Sequence, residues 1–247
     1  MEEQYYDEYA RLQDRHWWFS GRRRVIAAVL DGSLAAAPAE RRILDVGCGT
    51  GAMFSELRRY GTVQGVDSEQ KAIDVCHERG ETAVLRASGT DLPFADASFD
   101  LVTLLDVVEH ERDEARMLDE ARRVVEPAGA VLVTVPAYEF LWGEHDEINH
   151  HWRRYTRPGL VSALERSGLE IERATYFNTL LFPPIAGVRL AQRLRPRKGS
   201  PRPDTQLSES GFVNSALSRV FGSEAALIGR GARMPFGVSV LALARPG

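Results

Sequence analysis

The segment Ile43–Phe54, ILDVGCGTGAMF, decides the fold. It opens as an apolar run, places glycines at 47, 49 and 51, and then passes into a helix-like pattern. A strand that turns into a helix over residues without Cβ atoms leaves bare backbone and unpaired helix N–H groups at one spot. A ligand can touch the main chain there.

The segments downstream alternate in period. TVQGVD (62–67), TAVLRAS (82–88), FDLVTLLDVV (99–108) and AVLVTVP (130–136) read as strands. Residues 51–60, 69–79 and 113–125 read as helices, the second N-capped by Ser68. Strand–helix alternation implies a parallel sheet with right-handed crossovers. LEIERATYF (169–177) and GVSVLALAR (237–245) add two late strands. The expected fold is α/β: a doubly wound, mostly parallel seven-stranded, Rossmann-like sheet. The expected division is an N-terminal helical cap over 1–38 with helices near 2–15 and 20–31, and an α/β core over 39–177. A helical insertion or lid follows over 178–236, with a Pro/Arg-rich linker near 195–204 and helix near 212–229. The final strand of the core falls in 237–247.

The chain has 247 residues, of which 44% are hydrophobic, enough for one such domain with a full core. A net charge of −4 gives no bulk attraction to nucleic acid, and no nucleic-acid partner is expected. The acidic, polar start MEEQYYDEYARLQ and two unpaired cysteines, Cys48 and Cys76, lead us to expect a reducing, cytoplasmic setting. The longest apolar stretch, TLLFPPIAGV, is broken by Pro183 and Pro184, so no membrane span is expected.

Two ligand classes fit the glycine spacing. Gly47, Gly49 and Ala52 satisfy the dinucleotide fingerprint G-x-G-x-x-G/A. An adenosine-bearing methyl donor needs the same bare turn. Asp45 separates the two, because a carboxylate at the end of a buried strand needs a partner. It would repel a pyrophosphate and suits an ammonium or a cationic sulfur. Asp67, at the tip of the second strand, suits ribose hydroxyls in either case.

LDVGCGTG, then GVD, DLPFADASFDLV and LLDVVEH together resemble the class I S-adenosylmethionine-dependent methyltransferases, of the type 11/12 branch. The resemblance covers roughly residues 40–175. It implies S-adenosyl-L-methionine as donor and S-adenosyl-L-homocysteine as product. It implies a donor cradle of Asp45, Gly47, Gly49 and Gly51, with Cys48 a small packing residue in the turn. Asp67 and Ser68 would meet the ribose. Ser88, Gly89 and Thr90 would meet the adenine, with Asp91 a displaced acid, since the family's acid after the third strand is absent here. Leu105 and Asp106 end the fourth strand and face the reaction. Arg22 is the expected partner of the donor carboxylate.

Methyl transfer to a hydroxyl needs a base. His110 is the first candidate, with His145 and His151 behind it. Trp17, Trp18, Arg153 and Tyr155 are candidate acceptor contacts, and Arg153, Arg154 and Arg157 together with Tyr155 would suit an anionic group. Asp106, Glu109 and His110 form D-x-x-E-H, which resembles a metal-binding E-x-x-E-H; a divalent metal is not the expectation. FNTLLFPPIAGVRLAQRLR (177–195) suits an apolar acceptor, peripheral membrane contact or a subunit interface in a homodimer, with a monomer equally open. O-methylation of a small molecule is favoured. N- or C-methylation, an NAD-dependent oxidoreductase and a non-catalytic donor-binding scaffold are the alternatives.

Overall fold

The computed structural model describes residues 10–34, 41–193 and 211–247. The expected helix near 2–15 falls partly, and the linker near 195–204 wholly, outside them. A long helix α1 (Trp17–Ser33) precedes β1 (Arg42–Val46). Then come α2 (Phe54–Leu57), β2 (Thr62–Asp67), α3 (Gln70–Glu78), β3 (Val84–Arg86) and β4 (Phe99–Leu105). The chain continues through α4 (Glu114–Val124), β5 (Val125–Pro136), α5 (Glu144–Ile148), α6 (Arg157–Arg166) and β6 (Leu169–Phe177). It closes with α7 (Phe182–Arg193), α8 (Gly211–Ser223), α9 (Ala225–Gly229) and β7 (Ser239–Pro246).

The seven strands form one sheet in the order β3-β2-β1-β4-β5-β7-β6. The first five are parallel, and β7 runs antiparallel between β5 and β6. The doubly wound dinucleotide fold has the order 3-2-1-4-5-6 with no such reversed strand. The expected mostly parallel seven-stranded sheet is therefore the observed one. β4 is buried along nearly its whole length, which is why FDLVTLL has no polar alternation. Hydrophobic side chains cover both faces, one layer built with α4 and α6, the other with α1, α8 and α9.

Three boundaries differ from expectation. The helix after the glycine turn is only α2, because Gly51 at φ +75° holds the chain out of helical geometry. β5 starts at Val125, directly after α4, and carries Pro127 and Gly129 within it. Its pairing jumps from Phe99↔Val125 to Leu101↔Ala130, so the extra residues are absorbed in a bulge, where a proline costs no ladder bond. Ser68 does not cap α3; Asp67 Oδ1 accepts from Glu69 N–H (3.0 Å) instead.

Helix α1 and the late helices form one layer although almost 200 residues separate them. Trp17 N–H donates to Asn214 Oδ1 (2.7 Å), and Arg24 to the Ser218 carbonyl (3.1 Å). Gly21 lies so close to the Phe221 ring that a Cβ there would sit 2.1 Å from it. Among the described residues no helix is long and apolar enough to cross a membrane.

Candidate active site

The C-terminal ends of β1, β4, β5 and β6 and the start of β7 meet along one edge of the sheet. A cavity of about 480 Å³ opens there. Its floor is Asp45, Gly47–Gly49, Leu105, Asp106 and Pro136. Trp17, Trp18 and Arg22 of α1 form one wall; Leu181, Ile185 and Val188 at and within α7 form another. Ligands of open α/β sheets bind at this edge.

The glycine turn is built for close approach. Gly47, Gly49 and Gly51 all have positive φ, at +69°, +54° and +75°. A Cβ on Gly47 would lie 2.3 Å from Val107 Cγ2, whereas one on Gly49 would meet nothing within 4 Å and would project into the cavity. Gly47 and Cys48 N–H groups donate to the Val66 carbonyl (2.8 and 3.0 Å), and Gly49 N–H to Asp67 Oδ2 (2.8 Å). Asp67 thus braces the turn, and burial raises its pKa. Cys48 is buried against Cys76; their hydrogen bond and burial drive its thiol far above the usual range.

Gly51, Asp67, Ser68 and the turn Ser88–Asp91 lie outside the cavity. Ser88 Oγ and Thr90 Oγ1 bond to each other (2.8 Å), and Asp91 N–H donates to the Ser88 carbonyl (3.2 Å). Gly89 also has a packing reason, since a Cβ would stand 2.7 Å from Met117 Cε. Asp91 is exposed.

Two acids face the cavity differently. Asp45 is 3% exposed and accepts a hydrogen bond from Thr103 Oγ1 (2.5 Å). Burial pushes its pKa up to about 6, against the opposing pull of Thr103 and Arg22. Asp106, at φ +57°, instead pairs with Arg22 at 3.1 Å. Arg22 also donates to the Leu105 carbonyl (3.0 Å) and stacks on Trp18, 5.0 Å from the ring centre. A cationic ligand would relieve Asp45, and the open face of Gly49 leaves room for it; the residues present fit S-adenosylmethionine.

The histidines converge. His110 and His151 rings are 4.6 Å apart, edge to face, and His145 lies 5.9 Å from His151. All three line the cavity. Burial, reinforced by His151, lowers the His110 pKa to about 3. His151 Nδ1 is bonded to Asp146 Oδ1 (2.8 Å), and Arg154 clamps both oxygens of the same carboxylate (2.8 and 2.9 Å). Burial would raise the Asp146 pKa, but His151 and Arg154 outweigh it and hold it well below the carboxylate range. Glu109 is driven the other way, well above its usual value, by burial and by Asp106. Glu109, His110 and His151 place ligand atoms within 4.8 Å of one another, so the trio that could share a cation contains His151 in place of Asp106.

Two candidate acceptor contacts are elsewhere. Arg153 and Tyr155 do not line the cavity; Glu114 at the start of α4 takes both, at 2.9 and 2.5 Å. The neighbouring Arg154 does line it. Sequence reading passed over Asp146 and Asn178. The only signal for Asp146 was an acid set among histidines and arginines in WGEHDEINHHWRRYTR, and its spacing does not reveal which pairs form.

Residues 44–133 match the family described as "Methyltransferase domain". A "Probable S-adenosylmethionine-dependent methyltransferase" of Mycolicibacterium smegmatis is 31% identical over 167 residues, 65% of this chain and 62% of that one. A "Ubiquinone biosynthesis O-methyltransferase" of Coxiella burnetii is 27% identical over 146 residues, 52% of this chain and 62% of that one. The chain thus spans about three fifths of the length of these curated relatives. Among solved structures, the protein bound to the Haloferax volcanii Trm112 methyltransferase activator shares the fold, with a TM-score of 0.62 and 17% identity, over 100% of this chain and 98% of that one. The resemblance to class I S-adenosylmethionine-dependent methyltransferases is borne out.

Proposed function

We infer that this class I methyltransferase domain binds S-adenosylmethionine along the ends of β1 and β2 and methylates a small-molecule acceptor in the cavity, at oxygen. The observation that carries this reading is the pairing of Asp45, a buried carboxylate hydrogen-bonded to Thr103, with the open backbone at Gly49. Asp67 and the 88–91 turn extend the same edge, where a ribose and an adenine would lie. When bound, the donor supplies a methyl group already activated by its sulfonium, leaving as S-adenosylhomocysteine when the S–CH₃ bond breaks.

The protein's remaining task is to orient the acceptor and take its proton. His151 does this better than His110. An ionised Asp146 is acceptor-only, so His151 Nδ1 carries the proton of their 2.8 Å bond and Nε2 is left as a base. The acceptor O–H proton passes to Nε2 as the O–CH₃ bond forms. His110, held neutral by burial, is a much weaker base and shapes the pocket beside it.

Calorimetric titration with S-adenosylhomocysteine tests the reading. Saturable one-site binding is expected, weakened at least tenfold in Asp67→Ala by loss of charge-assisted hydrogen bonds. Binding of NAD(H) with no binding of S-adenosylhomocysteine would overturn it.

A further inference from the structure

Helix α7 is turned inside out. Its one charged side chain before Arg193 is Arg189, which is buried and lines the cavity. Its exposed side carries Pro183, Pro184, Gly187, Val188, Leu190 and Ala191, and the first polar side chain there is Gln192. A helix at a water surface normally shows the reverse pattern. Leu180, just before the helix, is 54% exposed, and Val188 and Leu190 are 50% each. Phe236, also exposed, extends the patch, with its ring 5.3 Å from that of Phe182.

The start of the helix keeps its donors closed. Phe182 N–H donates to the Thr179 carbonyl and Ile185 N–H to that of Leu181, both at 3.1 Å, while Pro183 and Pro184 have no N–H to satisfy. Just before them, the Thr179 and Leu180 N–H groups go to the buried Glu224 carboxylate, Thr179 at 2.9 and 3.0 Å. Water satisfies such groups readily, so closing them inside the protein matters most where water is scarce. The charge around the patch has one sign, although the whole chain carries −4. Arg230 and Arg233 are exposed on the segment that leads to Phe236, and no acid occurs from Ala225 to Gly247. None occurs from Arg173 to Arg193 either, and the sequence from there, RLRPRKGSPR, adds only cations.

We propose that α7 lies flat on an anionic lipid bilayer, with Leu180, Val188, Leu190 and Phe236 set among the acyl chains and Arg230 and Arg233 at the headgroups. An interfacial helix needs an apolar face and neighbouring cations, and not the length of a span. The closed donors suit that depth. The exposed side of α7, made of Pro, Gly, Val, Leu and Ala, offers a protein partner no hydrogen bond and no aromatic or arginine anchor. Pro184 and Val188 are at once exposed and part of the cavity lining, so the cavity opens beside this face. An apolar acceptor then enters from the lipid without crossing water, a consequence that rests on the methyltransferase reading.

Flotation of the full chain with lipid vesicles tests this. Vesicles of phosphatidylcholine mixed with phosphatidylglycerol should bind it at least about tenfold better than pure phosphatidylcholine, with the preference lost at high salt. Leu190→Glu sets a charge in the exposed face and should weaken binding to the mixed vesicles at least about tenfold, the effect of losing one buried leucine. Arg233→Glu should reduce the preference for phosphatidylglycerol. Neither residue lines the cavity, so S-adenosylhomocysteine titration should be unchanged in both variants, which shows that they are folded. The same titration on wild type reports on the methyltransferase reading separately, because failure there leaves the vesicle comparison readable. Absence of binding to either vesicle, equal binding to both, or unchanged binding of Leu190→Glu overturns the proposal. So does a wild-type dimer in solution that Leu190→Glu splits, since α7 would then be a subunit interface.

Discussion

Asp146 Oδ1 stands 2.8 Å from His151 Nδ1, and Arg154 holds both oxygens of the same carboxylate. The arrangement fixes a tautomer as well as a position. Asp146→Asn places an NH₂ or a weaker acceptor against Nδ1 and frees His151 to turn over. Methyl transfer should fall about a hundredfold or more in kcat, with donor affinity unchanged. A steady-state comparison checks it, with kcat and KM read separately. Loss of donor binding instead would mean that Asp146 serves only the fold.

Asp45 makes donor affinity depend on pH. Its pKa is raised to about 6 in the fold, so below that pH it is neutral. S-adenosylhomocysteine should bind more tightly as pH rises from 5 to 7, and Asp45→Asn should bind weakly with that part of the dependence gone. The linkage has the opposite sign for folding. Stability from the raised pKa is fully present below the unfolded value near 3.8 and is lost as pH rises through about 6, on the order of 3 kcal/mol. Asp45→Asn should therefore melt no lower than wild type at pH 8.

The two glycines separate fold from function. Gly47→Ala meets Val107 and a left-handed φ, so it should lower the melting temperature. Gly49→Ala meets no protein atom and bears only the φ strain, about 1 kcal/mol. It should stay folded yet lose donor affinity at least tenfold, because its methyl group occupies the space the ligand needs. Thermal melts and titrations on both variants check this.

His110 gives acid sensitivity. Its folded pKa is depressed to about 3 by burial. As pH falls below the unfolded value near 6.5, the unfolded chain takes up a proton that the folded chain resists. Stability present at neutral pH is then lost progressively toward pH 3, on the order of 4 kcal/mol. His110→Asn should flatten that limb of a stability–pH profile.

Phe221 joins the first helix to the late ones. It is fully buried against Gly21 and Trp17. Phe221→Ala should cost about 3–5 kcal/mol and loosen the Trp17 wall of the cavity, which urea denaturation and tryptophan emission would report.

What the sequence made legible was local. The glycine turn, the strand tips at Asp67 and Asp106, and the alternation that built the sheet are signals within short windows. The order β5-β7-β6 was not legible, because strand neighbours are settled by long-range packing. Pairings across loops were hidden for the same reason: Arg22 with Asp106, Glu114 with Arg153 and Tyr155, Asp146 with His151. Arg153 and Arg154 are adjacent in sequence, and only the backbone path decides which one faces the cavity. Asn178 carried no motif at all; only the folded chain reveals that its buried side chain has no hydrogen-bond partner among the described residues.

The most direct measurement is a crystal structure with S-adenosylhomocysteine bound. The account predicts its amino acid end against the Gly47–Gly49 backbone on the Asp45 side, and its ribose hydroxyls on Asp67 at about 3 Å. A ligand seated elsewhere, or an Asp45 facing only Thr103 in the saturated crystal, would contradict it.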